Sequence, residues 1–126
     1  MVLKLLVIED DEGVREMLQL VLNNEGHEVI LAKDGAILCD LMQIKPDMIF
    51  IDEWLCNEKG SDLCRKLKAD PHTFDIPVIL ISAMVTAEQF SKQAGADGYL
   101  RKPFDADELS QVIRRYAKYD KAGQAN

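Results

Sequence analysis

The segment 48–51 constrains the fold of this chain more than any other. Its four consecutive apolar residues, rich in branched and aromatic side chains, lead directly into Asp52. An apolar run of this length without alternation is typical of a short strand that is covered on both faces of a sheet. Asp52 then lies at the carboxyl end of the strand, the edge where open α/β sheets bind their ligands. The sequence therefore predicts a buried strand that presents a carboxylate to a functional site.

Strand-like and helix-like segments alternate along the rest of the chain. Residues 3–8 and 78–81 are also predominantly apolar runs, whereas 29–32 and 99–100 are weaker and mixed, as edge strands often are. After each strand, apolar side chains recur at helical spacing, most clearly along 14–22 and 109–116. Five strands alternating with five helices predict an α/β fold, a doubly wound parallel sheet with helices on both faces.

Length and charge narrow the class of protein. At 126 residues the chain suits one domain, and we assign 1–120 to it and 121–126 to a flexible C-terminal tail. The net charge of −7 argues against direct nucleic-acid binding, because such domains carry a basic stripe that neutralises phosphates. No apolar run approaches the ~20 residues that span a bilayer, and 3–8 lacks the basic leader of a signal peptide. The sequence thus predicts a cytoplasmic protein without membrane insertion.

Cysteine and histidine give no sign of a metal or disulfide site. The three cysteines have no CxxC spacing, and neither histidine stands at ligand spacing from them. Cys39 and Cys64 fall in apolar helical patterns, so we expect both to be buried thiols in a reducing compartment.

Polar side chains follow four of the predicted strands. Glu9 and Asp10 end the first, Asp52 the third, Ser82 the fourth and Lys102 the fifth. The carboxyl ends of parallel strands share one edge of a sheet, so these side chains should converge there. Glu9 and Asp10 alone could equally be acids favoured at the start of a helix. Four complementary features at four strand ends are much harder to attribute to chance.

The chemistry of this set is specific. Three neighbouring carboxylates repel one another, which makes a hard divalent cation their natural occupant, Mg²⁺ with Mn²⁺ as an alternative. The Asp52 carboxylate can act as a nucleophile toward phosphorus. The metal and the Lys102 ammonium would neutralise charge on a transferring phosphoryl group, and the Ser82 hydroxyl could hydrogen-bond one of its oxygens.

Four segments of the chain resemble the signatures of a known family. They are VIEDD (7–11), IFID (49–52), VILISA (78–83) and GADGYLRKPF (95–104). In this order and spacing they resemble the receiver domains of response regulators in two-component signalling, and the resemblance covers residues 3–116. It implies a flavodoxin-like sheet in the order 2-1-3-4-5, like that of the chemotaxis regulator CheY.

The resemblance also implies roles for individual residues. Asp52 would accept the phosphoryl group, and Lys102 would contact it. Glu9, Asp10 and Asp52 would hold the metal with the backbone carbonyl of Trp54, Asp10 directly and Glu9 through water.

Two further residues would form the conformational switch. Ser82 would supply the switch hydroxyl and Tyr99 the switch aromatic ring, although a static aromatic on an edge strand would fit Tyr99 as well. The peptide bond between Lys102 and Pro103 would be cis.

The chain departs from the family pattern in three places. Cys56 stands where the family usually has proline. The stretch 82–95 is about two residues short, so the fourth helix or the loop before it must be trimmed. That helix belongs to the face by which receivers commonly dimerise or bind targets, so the resemblance does not carry the usual output interface over to this chain. Trp54 and Met84 are large and apolar at positions that flank the phosphoryl group.

The function implied is a phosphorylation switch rather than an enzyme acting on an external substrate. A sensor histidine kinase or phosphotransfer protein would donate the phosphoryl group, and a downstream target protein would bind the switched surface, with dimerisation on phosphorylation as a further outcome.

Two alternative functions stay open: a phosphorylation-independent interaction module on the same fold, and a Mg²⁺-dependent aspartyl phosphohydrolase. The phosphohydrolase is less well supported, because such enzymes generally place an acid/base Asp where this chain has Trp54. A flavodoxin-like cofactor binder is more distant, since no phosphate-binding loop follows the first strand.

Overall fold

The computed structural model describes residues 2–117, so the predicted tail 121–126 and the domain end at residue 120 lie outside the described residues. The five strands are β1 (Lys4–Ile8), β2 (Glu28–Ala32), β3 (Met48–Asp52), β4 (Val78–Ser82) and β5 (Gly98–Arg101). The helices are α1 (Glu12–Asn24), α2 (Leu41–Ile44), α3 (Gly60–Ala69), α4 (Ala87–Ala94) and α5 (Ala106–Tyr116). All strand pairs are parallel in the order β2-β1-β3-β4-β5, which confirms the predicted fold class and strand order.

The central strand β3 is buried along its whole length because the sheet is covered on both faces. Met48 and Phe50 face a core that Leu18 of α1 and Leu109 of α5 complete. The alternate residues of β3 face a second core on the other side, formed with α2, α3 and α4. Each side chain of the apolar run thus has a core to enter, which explains why the run does not alternate with polar residues.

The segment after β2 differs from the prediction. The alternating pattern predicts one α-helix between the second and third strands, but a 3₁₀ helix (Gly35–Asp40) comes first and α2 adds a single turn. A 3₁₀ helix has three residues per turn, so α-helical periodicity misplaces its side chains. The predicted burial of Cys39 is therefore wrong, because its thiol is exposed, whereas Cys64 of α3 is buried as expected.

His27 accepts a buried hydrogen bond at the start of the sheet. Its Nδ1 lies 3.1 Å from the backbone N–H of Leu3, and the residue is 7 % exposed. Burial lowers the pKa of His27 from 6.5, against the opposing charge of Glu25. The imidazole of His27 is therefore harder to protonate in the folded protein than in the unfolded chain.

The stabilising contribution of His27 is complete above pH 6.5 and is lost as the pH falls through the lowered pKa of the folded state. When the pH falls from about 7.5 to about 5.5, the free energy of unfolding should decrease by roughly 1 kcal/mol more in the wild type than in His27→Leu. Urea unfolding measures the difference. Gln19→Leu, which alters an exposed residue of α1 that has no ionisable group, is the control and should keep the wild-type slope. Parallel slopes for the wild type and His27→Leu would contradict the assignment.

Candidate functional site

The carboxyl ends of the strands bring most of the predicted site residues to one edge of the sheet. Oxygen atoms of Glu9, Asp10 and Asp52 lie within 4.8 Å of one another. The Lys102 ammonium lies 3.0 Å from Glu9 Oε1 and 3.5 Å from Asp52 Oδ2. Lys102 reaches this place because its backbone N–H donates to Ser82 O at 2.9 Å, which extends the pairing of β5 with β4 by one residue. The Lys102–Pro103 peptide bond that follows is cis, as the family resemblance implies.

The site is electrostatically unbalanced without a cation. Glu9 is fully buried and Asp52 is 5 % exposed, whereas Asp10 is exposed. Burial, and after it the hydrogen bond and charge of Glu9, raise the pKa of Asp52 to about 7 against the opposing effect of Lys102. Burial lowers the pKa of Lys102, but the hydrogen bond that Lys102 donates to Glu9 and the charge of Asp52 outweigh burial and raise that pKa. One ammonium facing three carboxylates leaves excess negative charge, and an all-oxygen donor set of this kind suits a hard divalent cation.

Ser82 and Tyr99 lie at the edge of this cluster rather than inside it. Ser82 ends β4, is 3 % exposed, and its Oγ accepts a hydrogen bond from Met84 N–H at 3.1 Å. Tyr99 is 38 % exposed and lines a groove of about 380 Å³ between β5 and α5. The structure thus gathers Glu9, Asp10, Asp52 and Lys102, places Ser82 on the neighbouring strand end and leaves Tyr99 outside.

The loop between β3 and α3 forms a small hairpin. Trp54 and Lys59 form an antiparallel bridge, Leu55 N–H donates to Glu58 O at 3.2 Å, and the Lys59 ammonium lies 5.6 Å from the centre of the Trp54 ring. Trp54 itself is 51 % exposed. These contacts close the loop around Cys56, where the family usually has proline.

Gly60 lets the hairpin return close to β3. A Cβ atom at this position would lie 2.3 Å from the Asp52 carbonyl oxygen, far inside van der Waals contact. The first residue of α3 therefore packs directly on the backbone of the candidate phosphoacceptor.

Glu53 is a buried site residue that sequence reasoning missed. It is 1 % exposed, and its carboxylate accepts from Ser61 N–H at 2.7 Å and from the Ser61 hydroxyl at 2.9 Å. Serine is a residue type that often caps helices, but α3 begins at Gly60 and Ser61 lies inside its first turn. The carboxylate of Glu53 takes the capping role from outside the helix, where a negative charge is favourable. A glutamate that follows a strand resembles any polar loop residue, so no sequence signal marked it.

Replacement of Glu53 by alanine should destabilise the protein by about 1–3 kcal/mol, because the Ser61 donors then lie buried without an acceptor. Urea unfolding measures the loss. Glu16→Ala, which removes an exposed carboxylate from the middle of α1, is the matched control and should change stability by about 0.5 kcal/mol or less. Equal stability of the two variants would mean that Glu53 does not anchor α3.

The eight-residue α4 follows β4 after four residues. Its sheet-facing side consists of the small residues Ala87, Ser91 and Ala94, all of them buried. No helix within residues 2–117 is both long and apolar enough to cross a membrane.

Comparison with known proteins agrees with this fold and site. The family model of the response regulator receiver domain matches residues 5–114, and the chain belongs to that family. Receiver domains are signalling modules of two-component systems and the partners of histidine kinases. The predicted family and signalling class are thereby confirmed.

Three relatives illustrate the range of similarity. The DNA-binding dual master transcriptional regulator RpaA of Synechocystis is 33 % identical over 114 residues, which cover 88 % of this chain and 47 % of RpaA. The chemotaxis response regulator CheY4 of Vibrio cholerae is 25 % identical with a TM-score of 0.84, covering 92 % of this chain and 99 % of that one. The receiver domain of the sensor histidine kinase PA1611 from Pseudomonas aeruginosa, 25 % identical with a TM-score of 0.83, covers 93 % and 98 % and has a magnesium ion coordinated in its active-site cleft.

The match to RpaA bears on the predicted absence of nucleic-acid binding. The chain spans about half the length of the curated relatives it matches, and both RpaA and MtrA of Mycobacterium tuberculosis are named DNA-binding. That prediction is therefore not confirmed.

Proposed function

We propose that Asp52 accepts a phosphoryl group from a histidine kinase or phosphotransfer protein and that this modification switches a protein-binding surface. The observation that carries the proposal is the position of the Lys102 ammonium, 3.0 Å from Glu9 and 3.5 Å from Asp52, beside three carboxylates within 4.8 Å of one another. This arrangement joins a nucleophile to the charges that a phosphoryl group requires.

The chemistry proposed for the site is a direct displacement. An oxygen of Asp52 forms a bond to phosphorus while the bond from phosphorus to the donor's nitrogen or oxygen breaks, and the donor leaves with that electron pair. Lys102 stabilises the negative charge of the phosphoryl oxygens, and the Ser82 hydroxyl donates a hydrogen bond to one of them. Glu9, Asp10, Asp52 and the Trp54 carbonyl would hold Mg²⁺, or alternatively Mn²⁺. When bound, the cation supplies further charge neutralisation.

The switch would follow from the new charge. Phosphorylation draws Ser82 toward the phosphoryl group, and Tyr99 turns from its partly exposed position into the space behind Ser82. The face formed by α4, β5 and α5 then favours a second conformation for a target protein or a second copy of the chain. Because this face includes the short α4, we infer its binding properties from the residues of this chain and not from those of its relatives.

The remaining expectations belong to this proposal. They are a receiver domain over residues 1–120, a location in the cytoplasm, no catalytic activity beyond the protein's own phosphorylation and dephosphorylation, and, from the net charge of −7, no direct nucleic-acid contact.

The proposal is tested by intact-mass analysis after incubation with phosphoramidate or acetyl phosphate. The wild type should gain the mass of one phosphoryl group in the presence of Mg²⁺ and none with a chelator, and Asp52→Asn should gain none. A mass gain that survives in Asp52→Asn would overturn the assignment of the acceptor. Unlabelled wild type would favour a phosphorylation-independent interaction module, and steady turnover of a phosphoester that Asp52→Asn abolishes would favour a phosphohydrolase.

A further inference from the structure

Glu9 accepts hydrogen bonds from three residues, and these bonds reach different atoms of it. Lys102 donates to Oε1 at 3.0 Å and the backbone N–H of Asp11 to Oε2 at 3.3 Å. The third comes from Arg15, whose Nη1 lies 2.8 Å from the carbonyl oxygen of Glu9. The first two orient the carboxylate of Glu9, whereas the third acts on its backbone.

The carbonyl that Arg15 binds belongs to the peptide unit between Glu9 and Asp10. A peptide unit is planar, so a fixed carbonyl oxygen also fixes the direction in which the chain enters Asp10. Asp10 is exposed, and within residues 2–117 no hydrogen bond holds its carboxylate. The position of this carboxylate therefore depends on the backbone that carries it.

Arg15 can hold that backbone because α1 holds Arg15. The side chain of Asp11 caps the helix by accepting from Val14 N–H at 3.0 Å, and Arg15 N–H donates to Asp11 O at 3.0 Å. The guanidinium thus projects from the first turns of a capped helix and reaches back six residues to the end of β1. Its donors form a rigid planar fork, so it transmits the position of the helix to the turn better than a flexible ammonium would.

We propose that Arg15 is a positioning residue, which sets the Glu9–Asp10 turn so that the Asp10 carboxylate meets a divalent cation together with Asp52. This inference rests on the cation site of the proposed function and adds to it a residue that touches neither cation nor phosphoryl group.

The charge and the geometry of Arg15 predict opposite effects on cation affinity. A positive charge near three carboxylates weakens the binding of a second cation, so removal of the charge alone would tighten Mg²⁺ binding. Loss of the hydrogen bond to Glu9 O would free the turn and weaken binding, and residues that orient metal ligands typically contribute about tenfold or more to affinity. The sign of the change in affinity therefore separates a positioning role from a purely electrostatic one.

The test is calorimetric titration of Mg²⁺ into the wild type, Arg15→Gln and Arg15→Lys, with thermal unfolding in chelator as a check of folding. Arg15→Gln should raise the dissociation constant about tenfold, and Arg15→Lys should raise it less, since it keeps a donor at a shorter reach. Arg65→Gln, which removes an exposed guanidinium paired with Asp62 on α3, is the matched control and should bind as the wild type does.

Unchanged or tighter binding by Arg15→Gln would overturn the proposal while leaving the proposed function intact. If Arg15→Gln fails to fold, Arg15→Lys decides the matter, because wild-type affinity in that variant would also contradict positioning by the guanidinium fork. Wild-type protein that binds no Mg²⁺ would instead overturn the cation site itself.

Discussion

Asp52→Asn should make the metal-free protein more stable than the wild type, by about 2–4 kcal/mol near pH 8. The pKa of Asp52 in the folded protein is raised to about 7 from 3.8, first by burial and then by Glu9. Above that pKa the folded state holds a buried carboxylate that would be better solvated in the unfolded chain. The contribution of Asp52 to the free energy of unfolding is therefore complete below about pH 4, and it is lost as the pH rises through about 7. Asparagine removes the charge and with it this loss.

Urea unfolding in chelator at about pH 5 and about pH 8 measures the effect. The difference between Asp52→Asn and the wild type should grow with pH, whereas Asp40→Asn, which alters an exposed carboxylate without a side-chain capping bond, should track the wild type at both values. Mg²⁺ should stabilise the wild type more than Asp52→Asn, because a ligand stabilises the state that binds it and the variant offers one charge fewer. A pH-independent difference would mean that Asp52 is not under electrostatic strain.

The apolar runs were sufficient to predict the buried inner strands, whereas the strand order followed from the family resemblance. Residues 48–51 and 78–81 have side chains buried on both faces, and no other common element explains such short unbroken runs between helical segments. The segment around Cys39 was mispredicted because 3₁₀ and α helices differ in period while sharing residue preferences. The cap of α3 could not be predicted either, because the sequence does not reveal that the carboxylate of Glu53 accepts the N–H of Ser61.

Some residues of the candidate site could be located from the sequence, and others could not. Asp52 and Lys102 could be located from the sequence, because they stand at strand ends and parallel strands bring their carboxyl ends to one edge of the sheet. Arg15 and Glu53 could not, since each acts through a backbone atom or a helix terminus that only the folded chain brings near. The sequence therefore indicated the groups that carry charge, and the structure was needed for those that orient them.

Replacement of Lys102 by methionine is expected to slow phosphorylation by about 10²–10³-fold, the effect typical of removing one preorganised charge-stabilising donor. The Lys102 ammonium is the cation nearest to Asp52 among the described ion pairs, at 3.5 Å, and the raised pKa of Lys102 keeps it charged throughout the neutral range. Methionine keeps most of the length and volume of the side chain but supplies no charge. Intact-mass time courses with phosphoramidate and saturating Mg²⁺ measure the rate, with Lys66→Met on the exposed face of α3 as the control.

Binding of Mg²⁺ by Lys102→Met distinguishes a role in charge stabilisation from a general loss of the site. Without the ammonium, Glu9 and Asp52 repel each other more strongly, so the metal-free variant should be less stable than the wild type near pH 8 and should bind Mg²⁺ at least as tightly. Slow phosphorylation together with undiminished Mg²⁺ affinity would then locate the defect in the transfer of the phosphoryl group. Wild-type phosphorylation rates in Lys102→Met would show that the cation and Ser82 suffice to stabilise the transferring phosphoryl group. Lys102 would then only balance the charge of the unphosphorylated site.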